Sequence, residues 1–371
     1  MGKGGAVAKK AAPICFLNLD SINVTPYFQY YERCLSSDYD LIYWDRDEHD
    51  EYVGARNVFK YSHKVRKGGG VPWLWDLATG YAGYRRFACR ILKENRYEIV
   101  VALTGNVAVI LTDVLAKYYP KRYIMDIRDY FLEDIALYRH IEQKTIKHAA
   151  LALVSSPSYE AFLGHHDFQI IHNVQAIEPS DIASIKKTPH PSEPFVIANI
   201  GTAKTLDLDR RVIDYFANDM RFQLRYIGRG YDQLNEYCCS RGIRNTIASG
   251  DFASSETIKF YRDIDAILSV FGNSHTNFKH CLPNKLYYSA QLELPILVSS
   301  GTYMADVVDG YSLGCTLDIE SEDAKERILH LYDSGAVEAR RQGAERFMRV
   351  VECDNEKAFG KIRSLLSIAT T

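Results

Sequence analysis

LPNKLYYSAQLELPIL, residues 282–297, joins a helix start to the strand that follows it. The long polar loop FGNSHTNFKHCLPNK (271–285) ends in Pro283 as a helical pattern begins, with Asn284 and Lys285 in its first turn. Proline suits a helix start because the N–H it lacks has no partner there. That first turn offers unpaired N–H groups and the positive end of the helix dipole, and Lys285 adds a full charge. PILVSS (295–300) then reads as a strand. Strands spaced by helices in this way argue for a parallel, doubly wound sheet. Such sheets bind ligands at the carboxyl ends of their strands, near the switch in strand order.

Outward from this stretch the alternation continues. In the second half the strands are 195–201, 222–228, 245–251, 265–271, 295–300 and 313–317. In the first half they are 13–19, 40–44, 57–61, 98–103, 122–127, 151–156 and 169–173. EPSDIASIKKTPHPSEP (178–194) interrupts the pattern with four of the chain's 11 prolines and reads as a linker. The expected division is an N-terminal acceptor-side domain (1–178), a linker (179–194), a nucleotide-sugar-binding domain (195–350) and a C-terminal helix (351–371). Two helical stretches, 336–350 and 354–368, are expected at the end.

Composition narrows the class. At 371 residues the chain fits two domains, and 47% hydrophobic with 25% charged residues is ordinary for a globular protein. A net charge of -2 gives no bulk attraction to nucleic acid. The 8 cysteines are scattered, without zinc or disulfide spacing, which suits a reducing compartment. MGKGGAVAKKAAP lacks a signal-peptide core, and no run reaches the ~18 apolar residues of a membrane span. The expected location is therefore cytoplasmic, so the sequon at Asn23 carries no meaning. Tyrosine is abundant at 26, a residue suited to gripping sugars, although composition alone explains the count equally well.

The loops after the second-half strands read GTAK (201–204), GRG (228–230), SGDF (249–252) and 271–285. Their Gly, Asn, Ser and Lys residues offer donors to phosphate oxygens. The candidate donor-binding residues are Gly201, Thr202, Lys204, Gly228, Asp251, Phe252, His275, Asn277, Asn284, Lys285 and Tyr288. The bland alternative makes Lys285 a solvated surface lysine.

LPNKLYYSAQLELPILVSSGT resembles the P-x-K-x-x-E-Y-x-x-x-G-x-P segment of GT-B glycosyltransferases, particularly retaining bacterial enzymes that build capsule and other surface polysaccharides. The matching residues are Pro283, Lys285 and Pro295, followed by Ser299, Ser300 and Gly301. The family's I-G-x-x-x-K loop corresponds to Ile200, Gly201 and Lys204, and its I-G-x-G turn to Ile227, Gly228 and Gly230. YIMDIRDYF, SSPSYEAFL and IIHNV look like its first-domain strand ends and its serine-containing turn before the hinge. The resemblance implies an α/β GT-B fold, two Rossmann-like doubly wound domains facing a cleft. It also implies a UDP- or GDP-linked nucleotide-sugar donor, a saccharide acceptor and retention of configuration. The family's ribose-binding glutamate falls at Tyr288, its other acid at His280, and the glycine before the last proline at Glu293. A tyrosine hydroxyl cannot reproduce a carboxylate's two-point acceptance from a diol.

In the first half, Asp126 and Asp129 of DIRD end a strand, placed to orient an acceptor hydroxyl or act as base. The alternative is a helix cap beside an ion pair with Arg128. His172 and Asn173 sit at another strand end. KVRKGGGVPWLWDLATGYAGYRRFACRILKE (64–94) combines a triglycine loop with interleaved aromatic and basic residues. This mixture suits an anionic membrane interface at the inner face, where a polyprenyl-diphosphate-linked acceptor is presented through 71–94. An amphipathic core helix explains it as well.

The expected reaction is glycosyl transfer, with Asp126, Asp129, Lys204 and Lys285 as catalytic candidates and no metal or other cofactor. DRD at 45–47 matches a metal-binding D-x-D by letters alone. The rivals are a nucleotide-sugar epimerase of the same fold and a degenerate, non-catalytic saccharide- or partner-binding protein.

Overall fold

A computed structural model of the chain describes residues 12–22, 25–46, 52–66, 70–185 and 191–368. Asn23, Asp47 of DRD, Gly68 and Gly69 of the triglycine loop and the middle of the expected linker (186–190) lie outside the described residues.

The first sheet contains β1 (Ile14–Asn18), β2 (Tyr39–Asp45), β3 (Asn57–Ser62), β4 (Ile99–Ala102), β5 (Tyr123–Ile127), β6 (Leu151–Val154) and β7 (Phe168–Ile170). Their order is β3-β2-β1-β4-β5-β6-β7, and all pairings are parallel. The second holds β8 (Phe195–Ile200), β9 (Phe222–Ile227), β10 (Thr246–Ser249), β11 (Ala266–Ser269), β12 (Ile296–Val298) and β13 (Gly314–Thr316). It is also wholly parallel, in the order β10-β9-β8-β11-β12-β13. Every strand expected from the sequence forms. The central strands β1, β4, β8 and β11 are buried along their whole length, as parallel strands covered on both faces must be.

Helix Gly70–Asn95 buries Gly80, Tyr84, Ala88, Ile91 and Leu92. A Cβ on Gly80 would lie 2.2 Å from the Trp44 ring, and one on Gly83 1.9 Å from the Tyr61 hydroxyl. Two glycines cost helix stability, but here they let the helix lie flat against the aromatic edge of the sheet.

The compact units are 1–172 with 353–371, and 173–352. The expected boundary at 178 and linker at 179–194 need correction. Ile185 is buried in the core of the second unit, and Val174, Ile177 and Ile182 pack against that core. These apolar side chains make the described part of the segment a piece of that unit, including the short helix Pro179–Ser184. The C-terminal helix also differs. It is one element, Ser334–Ile368, because no proline or glycine lies between 344 and 359 to end it. Ala344, Phe347 and Val351 join the core of the second unit, and Ala358, Ile362 and Leu366 that of the first. Their three- and four-residue spacing keeps each set on one helix face.

Ile362 is fully buried. Ile362→Ala is therefore expected to destabilise the first unit by about 2–5 kcal/mol, measured by urea unfolding of the full chain. An unchanged midpoint would show that the tail is not part of that core.

Candidate functional site

In the second sheet the chain runs outward from β8 through β9 to β10, then returns to β11 on the other side. The loops after β8 and β11 therefore diverge at the switch point. Gly201 and Gly228 follow β8 and β9 with φ of 134° and 132°. The amide of Gly201 donates to the Ile227 carbonyl at 2.8 Å, that of Gly228 to Ser249 at 3.0 Å, and that of Ala203 to Arg229 at 2.9 Å. A Cβ on Gly228 would lie 1.9 Å from the Gly201 carbonyl oxygen. Glycine is required by both the dihedral and the approach. Thr202 and Lys204 project from this rim and are exposed. Asp251 is exposed and pairs with Arg229 at 3.1 Å, while the Phe252 ring lies 4.8 Å from Phe260.

The loop after β11 is tied to the loop after β12. The Ser299 hydroxyl accepts from the amides of Phe271 at 3.0 Å and Gly272 at 2.8 Å, and Asn273 Nδ2 donates to the Ser300 carbonyl at 3.0 Å. His275 Nδ1 accepts from the Asn277 amide at 3.2 Å and caps helix Thr276–His280. Pro283 precedes helix Asn284–Leu292 in an extended conformation, and Asn284 opens it half-buried. The helix runs back against the sheet, so its N-terminus shares the carboxyl edge with the other candidates.

Lys285 is not a solvated lysine. It is only 9% exposed. Its amine donates to Asn199 Oδ1 and to the Leu268 carbonyl at 3.3 Å, and lies 5.2 Å from the Phe271 ring centre. Burial pulls its pKa down to about 7, against the opposing charge of Asp209 and with help from Lys204. Asp209 is 2% exposed and accepts from Asn199 Nδ2 at 3.2 Å. Burial pushes its carboxyl up to about 7, opposed by Lys285 and Asn199. Asn199 and Asp209 are absent from the sequence-derived candidates. The signal was a polar residue inside the apolar run FVIANI, one residue before the strand ends.

Tyr288 is half-buried, its ring 4.9 Å from that of Tyr261, and burial raises its phenol pKa. Glu293 ends the helix at φ 56°, ψ 25°. A left-handed residue just past a helix is a position that favours glycine, and here Glu293 occupies it. Arg340 Nε donates to the Glu293 carbonyl at 2.9 Å.

In the first unit Asp126 does not face an acceptor. It is fully buried; Oδ1 meets Arg128 Nε at 2.7 Å, and Oδ2 accepts from Arg128 Nη2 at 2.8 Å and Tyr31 at 2.7 Å. The Arg128 guanidinium lies 4.5 Å from the Tyr27 ring centre. Asp126 is thus a structural counter-ion, while Asp129 is exposed. His172 is 3% exposed, its amide donates to Asn355 Oδ1 at 2.7 Å, and burial lowers its pKa. Among the described residues no group of three or more His, Cys, Asp or Glu side chains is placed to hold a metal ion.

No family model matches the sequence, and no curated protein matches it. The fold has solved counterparts. Sucrose-phosphate synthase from Thermosynechococcus elongatus aligns with a TM-score of 0.68 at 11% identity, over 96% of this chain and 100% of that one. Anabaena HepE in complex with UDP aligns at 0.61 and 14%, over 95% and 99%. WaaG, a glycosyltransferase involved in lipopolysaccharide biosynthesis, aligns at 0.61 and 13%, over 94% and 99%. The chain has the two-domain α/β fold of the GT-B type that these structures share.

Asp126→Asn leaves Arg128 buried without its counter-charge. The expected loss is about 3–5 kcal/mol of stability, read by denaturant unfolding. A variant of unchanged stability that lost activity would instead mark Asp126 as a reacting group.

Proposed function

We propose that this chain transfers a sugar from a nucleotide-activated donor to a saccharide acceptor. The observation that carries this is the shared rim: the loops after β8, β9 and β11 and the start of helix Asn284–Leu292 meet one edge of one sheet. They bring close-laced backbone, an exposed lysine and a helix N-terminus. Such a rim suits a diphosphate. Support comes from Anabaena HepE, which has this fold and was solved with UDP and with UDP-glucose.

In this reading Lys204 and Lys285, with the helix start at Asn284, stabilise the charge that develops on the leaving diphosphate. His275 and Asn277 reach the donor from the β11 loop. The base packs near Asp251 and Phe252, and Tyr288 offers a single hydroxyl to the ribose. The scheme needs no metal, and its donor is UDP- or GDP-linked. Retention and a role in capsule or other surface polysaccharide synthesis follow from the sequence resemblance. Asp129 is the acceptor-side carboxylate.

The acceptor is proposed to reach the first unit from a membrane surface. Val71, Leu74 and Trp75 are 78%, 56% and 70% exposed on helix Gly70–Asn95. Ala78 and Ala82 continue the stripe, and exposed Arg86, Arg90 and Lys93 follow. This is an apolar-then-basic face opposite the buried one, suited to anionic lipid. Arg85 is excluded from it, because its guanidinium meets Asp113 at 2.8 and 2.9 Å. No described helix is long and apolar enough to cross a membrane.

Incubation with UDP- and GDP-linked sugars without acceptor tests the reaction. Slow release of nucleoside diphosphate is expected, and Lys204→Ala is expected to slow it about 100-fold. An epimerised sugar would identify an epimerase, and absence of any nucleotide binding would identify a non-catalytic protein. In vesicle flotation, wild type is expected to bind anionic liposomes and Trp75→Ser/Arg86→Ser to stay in solution. Equal behaviour of both proteins would remove the membrane contact.

A further inference from the structure

The most unusual polar cluster in the second unit lies beneath the proposed diphosphate rim. Asn199 is the penultimate residue of β8, and Leu268 belongs to the adjacent β11. Lys285 reaches the end of both strands, donating to the Asn199 side chain and the Leu268 carbonyl. Asp209, from helix Leu206–Phe216, approaches Asn199 from the other side. Asp209 Oδ2 is buried and has no hydrogen-bond partner among the described residues. A carboxylate oxygen left without a hydrogen bond in the interior costs stability, and the nearby Lys285 charge offsets part of that cost.

Lys204 from the β8 loop places a second positive charge within reach of Lys285. Tyr226 and Tyr231 face Asp209, and burial keeps both phenols neutral by raising their pKa values. The Phe271 ring lies over the Lys285 amine. Among the described residues Asp209 is the negative charge that opposes the burial of Lys285 and the repulsion from Lys204.

We propose that Asp209, bridged by Asn199, is the positioning residue for Lys285: it keeps the amine charged and held beneath the donor diphosphate without touching the donor. The inference rests on the donor-binding reading above. An anion on the rim favours the protonated amine, so binding is coupled to proton uptake. Removing the Asp209 charge makes Lys285 lose its proton at lower pH.

Calorimetric titration with UDP and GDP from pH 6 to pH 9 tests this, using whichever binds. Affinity of the wild type is expected to fall as pH rises through the neutral range. In Asp209→Asn that fall is expected at lower pH, with binding about tenfold weaker at pH 8, one pKa unit of lost charge stabilisation, and closer to wild type at pH 6. Comparing the two proteins cancels the titration of the ligand's own phosphate. Lys285→Met serves as a second background. There Asp209→Asn is expected to have no further effect, since its action runs through the amine. Melting temperatures of all variants establish that they are folded. If the wild type binds and Asp209→Asn shows the same affinity and pH profile, the positioning role is overturned while the donor reading stands. If Asp209→Asn weakens binding equally in the Lys285→Met background, its role is structural and the inference fails. If the wild type binds neither nucleotide at any pH, both fall.

Discussion

Parallel strands cannot be joined by tight turns; each needs a crossover that returns the chain to the starting edge. Both sheets here are wholly parallel, so every strand in each sheet delivers its carboxyl end to one side. The loops that leave those ends have no choice of location. In the second unit this brings residues as distant in sequence as Gly201 and Lys285 to one rim. The lacing of Gly201 to Ile227 and of Gly228 to Ser249 then fixes two of these loops through the backbone, with Thr202 and Lys204 exposed on the first. The close approach at Gly228 is the tightest point of the rim: a single methyl group there would collide with the neighbouring carbonyl.

The second unit combines that laced rim with a buried amine. Lys285 has exchanged water for an amide oxygen, a carbonyl and an aromatic face. Burial of an ammonium is tolerated when a counter-charge is near, and Asp209 supplies it. Burial pulls the pKa of the amine down and pushes that of the carboxyl up, opposite directions with the same cause, desolvation. Such a pair titrates as a unit, and the proton it carries responds to charge placed above it. The first unit uses a different solution. Asp126 and Arg128 meet through two close contacts with Tyr31 as a further donor, a closed ion pair that reinforces the end of β5.

Much of this was legible in the sequence. All thirteen described strands follow from short apolar runs that alternate with helical patterns, and the helix start at Asn284 from Pro283. The rim residues Gly201, Gly228 and Lys204 were found because strand ends in doubly wound sheets announce where loops must gather. Side-chain direction was not legible. Lys285 was placed correctly along the chain, yet spacing does not reveal that its amine turns inward to Asn199. An ion pair with Arg128 was one of the two readings of DIRD, but only the fold shows that the pair is made by Asp126 and that Tyr31 closes it. The same limit applies to the domain boundary. Four prolines in 178–194 suggested a linker, whereas Ile182 and Ile185 bind its described part to the second core. At the C-terminus the helical pattern was evident, and its continuity through Cys353 and Asp354 was readable too, since no proline or glycine lies between 344 and 359 to justify the break expected there.

In the proposed function a nucleoside diphosphate is held by the carboxyl rim of the second sheet. Hydrogen–deuterium exchange of the full chain, with and without saturating UDP or GDP, tests this most directly. Protection is expected at the amides of 201–205, 228–230 and 272–277 and at the first turn of helix Asn284–Leu292, with the edge strand β13 unchanged. Protection confined to the first unit, or none with either nucleotide, would contradict it.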